Sequence, residues 1–169
     1  IAACSGIPRS GIVQQGAAVA ADDSRTIEFL PSSPTEGATQ EQILRGFLDA
    51  ASSPQDDFAI AREYLAGSFA SSWNASALVT VDLGTRTVVP ATDTAASLQT
   101  MTSATVDSRG QYREVTPATA LTQEYDFIQE SGQWRISAAP PGVILDTFTF
   151  DQVFSTHALY FFDPTFTQL

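Results

Sequence analysis

Ala96-Ser97-Leu98-Gln99-Thr100-Met101-Thr102-Ser103-Ala104-Thr105-Val106 decides the fold of this chain. Its even positions carry Ala96, Leu98, Ala104 and Val106, with Thr100 and Thr102 between them. Ser97, Gln99, Ser103 and Thr105 occupy odd positions. A period of two over this length does not fit one face of a helix. It builds a strand with one buried and one solvated face, as antiparallel sheets have.

Working outward, strand signals continue on both sides. Ser108-Arg109-Gly110 reads as a turn into Gln111–Val115. Leu121, Tyr125 and Phe127 then stand against Thr122, Glu124 and Asp126. Ser131-Gly132 is the next turn, and Gln133–Ala138 returns with Trp134 and Ile136 on one face, which makes a hairpin. Upstream, Ala77–Val81 and Arg86–Val89 read as short strands around Asp82–Thr85, where Gly84 supports a turn. Pro140-Pro141-Gly142 breaks the sheet. Asp146 or Thr147 then caps a short helix through Phe148, Val153 and Phe154. Ala158–Phe162 is aromatic and ends at Asp163-Pro164.

Before Trp73 the period is helical. Thr39 and Gln42 have capping-box spacing, and Ile43, Leu44, Phe47, Leu48 and Ala51 follow on one face. Ser53-Pro54 ends this helix. Asp56 or Asp57 is expected to cap a second one carrying Phe58, Ile60, Ala61, Tyr64 and Leu65, with Gly67 as its stop and another turn over 68–73. Helices first and strands afterwards is the α+β pattern. The expected architecture is N-terminal helices packed on a curved antiparallel sheet, a cone of the nuclear-transport-factor-like or cystatin-like type.

Residues 39–169 make the expected single domain, with 140–169 as its C-terminal helix and strand. Residues 5–38 hold Pro8, Pro31 and Pro34 and few large apolar residues, so they read as an extended tether or arm. Residues 1–4 read as the remnant of a lipobox: Ile1-Ala2-Ala3 precede Cys4, the single cysteine. Small residues let the backbone enter a signal peptidase, and the thiol takes the lipid. The other reading of Cys4 is an incidental free thiol. The charged and apolar parts of a signal peptide are missing, so the lipobox reading expects a chain already trimmed.

The 169 residues carry 19 acidic and 8 basic side chains, net −11, and every basic one is Arg. Without a basic cluster, nucleic acid is not an expected partner. An anionic lipid surface would repel the chain, which leaves a covalent lipid on Cys4 as the route to a membrane. A phosphate-cradling Gly-Lys loop is impossible without lysine. One histidine, His157, and one cysteine cannot make a zinc site, and no Gly-x-Ser-x-Gly elbow exists. No cofactor, metal or catalytic residue is expected. A small-molecule or isomerase-like cone is the alternative. Tyr64, Trp73, Tyr125 and Trp134 would line its pocket, with Asp82, Asp126 and Tyr112 as further conceivable groups. Asp82 at a turn and Asp126 on a polar face read instead as a solvated acidic surface. Phe148, Phe154 and Tyr160 are the expected partner surface if they are not core.

Several motifs together resemble the N-terminal domain of the actinobacterial LpqB lipoproteins. They are Ala2-Ala3-Cys4 with Ser5-Gly6-Ile7-Pro8; Ile27-Glu28-Phe29-Leu30-Pro31; Gly37-Ala38-Thr39 leading to Ile43-Leu44-Arg45-Gly46-Phe47-Leu48; and Ala61-Arg62-Glu63-Tyr64-Leu65. Trp73, Trp134-Arg135-Ile136, Pro141-Gly142-Val143-Ile144-Leu145 and Leu159-Tyr160-Phe161-Phe162-Asp163-Pro164 continue the likeness. The resemblance implies lipidation at Cys4, a place on the extracytoplasmic face of the cell membrane, and downstream GerMN and β-propeller domains. It also implies an accessory role toward the extracytoplasmic domain of the sensor histidine kinase of the MtrA–MtrB two-component system. A structural spacer for the downstream domains is a further reading.

Overall fold

A computed structural model describes residues 31–154. The chain runs α1 (Gln40–Ala50), a 3-10 turn (Gln55–Asp57), α2 (Ala59–Glu63), α3 (Gly67–Ala70) and a second 3-10 turn (Ala75–Ala77). Six strands follow: β1 (Leu78–Asp82), β2 (Thr87–Thr92), β3 (Ala95–Asp107), β4 (Tyr112–Glu130), β5 (Gln133–Ala138) and β6 (Val143–Asp146). α4 (Thr147–Val153) closes the described chain. Helices pack on one side of a curled sheet, so the α+β cone expected from the sequence is the architecture.

The capping box forms as the spacing requires. The Gln42 N–H donates to Thr39 Oγ1, and the Thr39 N–H donates to Gln42 Oε1 at 2.8 Å. Ile43, Leu44, Phe47 and Leu48 turn inward from α1 and are almost fully buried. The second helix starts differently from expectation. Asp56, Asp57 and Phe58 all have positive φ (48°, 55° and 59°), and neither Asp caps α2. Asp57 instead accepts from Arg62, whose guanidinium also lies over the Trp73 ring at 5.5 Å. Gly67 opens α3 rather than ending the preceding helix.

The sheet order is β5-β4-β3-β1-β6, with β2 also paired to β3. β1 covers the C-terminal half of β3 and β2 the N-terminal half, along the same edge. The even positions 96–106 are all buried, the threonines included. β4 is one strand of 19 residues, not two pieces. Its register against β3 jumps between Thr102↔Thr119 and Ala104↔Glu114, so Val115–Ala118 bulges out around a cis Thr116-Pro117 bond.

β6 was not expected as a strand. It pairs parallel with β1, and among the described strands the other pairings are antiparallel. Pro140-Pro141-Gly142 follows β5 but does not end the sheet as expected; it delivers the chain to this new partner at the opposite edge. Gly142 has φ +95°, and a Cβ there would collide with the Leu78 carbonyl oxygen. Only glycine suits that crossing. Gly46 is a second close approach: a Cβ would stand 2.5 Å from the Tyr64 ring.

Candidate functional site

The described residues fill the interior of the cone. Phe47 projects from α1 to meet Trp73 edge-on at 5.2 Å between centroids and Tyr125 of β4 at 6.4 Å. Phe58 closes on Trp73 at 5.8 Å. Leu98, Phe127 and Ile136 complete the packing from the sheet. Edge-to-face contacts of this kind hold rings in fixed orientations. A recess beside Phe47 and Tyr125, reached past Pro140, Pro141 and Gly142, has a volume of about 10 Å³. That is room for about one water molecule at most.

Of the four residues assigned to a pocket, Tyr64, Trp73 and Tyr125 are buried, while Trp134 packs against the core from a half-buried position. Tyr64 donates its hydroxyl to the Ser32 carbonyl at 2.8 Å, and Tyr125 donates to Gln123 Oε1 at 2.9 Å. Burial raises the pKa of both phenols. Asp49 and Glu63 raise that of Tyr64 further, and Arg86 partly opposes the shift at Tyr125. Of these four residues, only Tyr125 borders the recess.

Asp82 is not a solvated turn residue. It is fully buried and sits where β1 and β2 part on the edge of β3. Arg86 Nε donates to Asp82 Oδ2 at 2.8 Å, and Thr100 Oγ1 lies 2.8 Å from the same oxygen. The Gly84 N–H and Arg86 Nη2 donate to Oδ1. Arg86 also reaches the Ile144 carbonyl of β6 at 3.3 Å. One carboxylate thus ties together β1, the β1–β2 turn, β3 and, through Arg86, β6. Burial is tolerated because both oxygens are paired. Arg86 and Thr100 escaped sequence reasoning. The signals were there: a polar residue at an apolar-stripe position, and an Asp and an Arg four residues apart.

Two more carboxylates feel Arg86. Burial disfavours ionisation of Asp146, but the N–H and hydroxyl of Thr149, together with Arg86, outweigh it and lower its pKa. Asp146 is the N-cap of α4, its side chain accepting from the Thr149 N–H at 2.8 Å. At Asp49, burial dominates and raises the pKa, against Arg86 and Arg45. Every oxygen of Asp82 and the cap oxygens of Asp146 are occupied by these partners. Asp126 lies exposed on the polar face, as its alternation indicated.

The expected partner surface divides. Phe148 stands 72% exposed on α4, and Phe154 is 38% exposed at its end. Tyr160 lies outside the described residues, as do Cys4, His157 and the 158–162 stretch. Phe150, between the first two, is buried.

The comparisons with known proteins agree on one family. The family described as "Lipoprotein LpqB, N-terminal domain" matches residues 33–151. Lipoprotein LpqB of Cutibacterium acnes is 36% identical over 158 residues, covering 94% of this chain and 27% of its own length. Lipoprotein LpqB of Bifidobacterium longum is 32% identical, covering 94% and 30%. Lipoprotein LpqB of Streptomyces coelicolor is 28% identical, covering 96% and 28%. The chain thus spans under a third of the length of these relatives. No solved structure matches it. A match across 33–151 takes in α1 to α3 and the whole curled sheet described above, and the chain belongs to the LpqB lipoprotein family, in the part that forms the N-terminal domain.

Proposed function

We propose that this domain is a lipid-anchored accessory module on the extracytoplasmic face of the cell membrane, where it contacts a sensor kinase and tunes two-component signalling. The observation that carries the reading is Cys4, the single cysteine, directly behind Ile1-Ala2-Ala3 in a chain whose relatives are named lipoproteins. The net charge of −11 opposes attachment to anionic lipid by charge, so the acyl chains would do the holding. The filled interior supports a role played on the surface, since a ligand of ordinary size needs a cavity of several hundred Å³. Phe148 is the side chain we assign to the kinase contact, as the most exposed large apolar residue described.

Two linked measurements test this. Cys4→Ala in the full precursor should release the protein from membranes without detergent. Retention unchanged by the substitution would remove the anchor. The 169-residue chain should bind the extracytoplasmic region of the kinase saturably in calorimetric titration, and Phe148→Ser should weaken that binding about tenfold or more, as loss of a buried aromatic anchor does. No binding at high micromolar concentration would remove the partner.

A further inference from the structure

β4 outruns its partner on one side. β5 pairs only with Asp126–Glu130, whereas β3 follows β4 back to Tyr112. Among the described residues, no strand pairs with the side of 119–125 that faces away from β3. Along an antiparallel strand, successive residues turn their N–H and C=O alternately toward the partner and away from it. The Phe127 N–H donates to the Thr94 carbonyl at 2.8 Å, which fixes the phase. The register from Ala95↔Asp126 to Thr102↔Thr119 is unbroken. Thr119, Leu121, Gln123 and Tyr125 therefore turn their backbone groups to β3, and Ala120, Thr122 and Glu124 turn theirs outward. The Leu83 N–H donating to the Met101 carbonyl agrees, since Met101, opposite Ala120, also faces away from the β3–β4 seam. Ala120, Thr122 and Glu124 are all exposed.

The other edges suit pairing less. β5 is held along its outer side, where the Ala66 N–H donates to the Ile136 carbonyl and the Ile136 N–H to the Tyr64 carbonyl. Pro90 removes a donor from β2, and β6 is only Val143–Asp146. The β4 edge also fits itself. A two-fold axis at Thr122 sets Thr122 against Thr122 of a second copy and Ala120 against Glu124. Every outward residue then meets an outward residue, no charge faces a like charge, and Leu121 lies against Gln123. An axis at Gln123 would set Ala120 against Asp126, which is already paired with Ala138 of β5. An axis at Leu121 would set Glu124 against Ala118, in the bulge.

We propose that residues 119–125 of β4 pair antiparallel with the same edge of a second copy, about a two-fold axis at Thr122, so that one sheet runs through both copies. This goes beyond the signalling role and stands without either lipid or kinase. Each copy carries a net charge of −11, so the pairing should tighten as added salt screens the repulsion.

Sedimentation equilibrium of the 169-residue chain at physiological ionic strength tests it. A dimer should form as concentration rises, and Thr122→Pro should weaken it about tenfold or more. That substitution removes an outward N–H on the axis and leaves the β3 ladder intact. Position 120 tests the register and carries the test where the proline variant fails to fold. Ala120→Arg places a cation opposite Glu124 of the second copy and should tighten the dimer about threefold or more, while Ala120→Glu should weaken it by as much. Ala59→Arg makes the same charge change on α2, and its effect should be well below that of Ala120→Arg. A chain that stays monomeric up to about 1 mM would overturn the proposal, whether the edge is bare or covered by the chain's own ends. A dimer indifferent to Thr122→Pro and to the sign of the charge at 120 would overturn it too, because another surface would then hold the copies together.

Discussion

Asp82 shows most sharply how a residue's surroundings decide its part. In the sequence it stands next to Leu83-Gly84, where any carboxylate reads as turn chemistry. Its burial depends on Thr100, eighteen positions on, and on Arg86 reaching across to Ile144. No local pattern encodes that meeting. Removing one partner of a buried pair strands the other, so Asp82→Ala should cost about 3 kcal/mol of stability. Urea denaturation at neutral pH measures it. The double variant Asp82→Ala/Arg86→Leu should lose less than the single one, because no guanidinium is left unpaired. A single-variant loss below about 0.5 kcal/mol, the scale of an ordinary surface change, would mean that the pair holds nothing together. Thr102 Oγ1 and Trp73 Nε1 are buried without a hydrogen-bond partner among the described residues.

Among elements, legibility tracks the range of the forces. α1 was readable because its cap and apolar face are local: Thr39, Gln42 and the 43–44–47–48 set lie within ten residues. The β4–β5 hairpin was readable for the same reason, with Ser131-Gly132 at its turn. The start of α2 was not. Three consecutive positive-φ residues contradict ordinary propensity, and Arg62 draws Asp57 away from a capping role. β6 was missed because Val143-Ile144-Leu145 carries no alternation, as expected of a short strand buried on both faces. α1 owes its close seat to Gly46, against which the Tyr64 ring rests. Gly46→Ala should displace that ring and weaken the Tyr64–Ser32 hydrogen bond, at a cost of about 1–3 kcal/mol typical of overpacking. Thermal unfolding followed with the near-ultraviolet signal of Tyr64 and Trp73 would measure it. A gain in stability, as Gly→Ala gives at an unobstructed helix position, would show that the close contact is absent in solution.

At the scale of the molecule, the cone is a core of aromatic and aliphatic side chains wrapped by a curled sheet whose two edge strands, β5 and β6, are joined in sequence across Gly142. The α+β class and the cone were legible because they follow from element order. The addition of β6 to the sheet's edge was not, since it brings together Val79 and Val143, 64 positions apart. That separation has a consequence in time. The hairpins β3–β4 and β4–β5 join neighbours in sequence and can form early. β1–β6 must wait for the chain between them to be ordered, because long-range closure costs entropy before any contact rewards it. Its contacts should be absent from the transition state, and the last strand should latch only on the downhill side of the barrier. Gly142→Ala should therefore leave the refolding rate nearly unchanged and speed unfolding by roughly tenfold or more. Stopped-flow chevrons of the two proteins would show it, and a slowed folding limb would mean that the latch is the nucleus instead. A protein built this way should lose its clasp before its core, so substitutions in the four residues Val143–Asp146 should shorten its folded lifetime more than substitutions in the long strands.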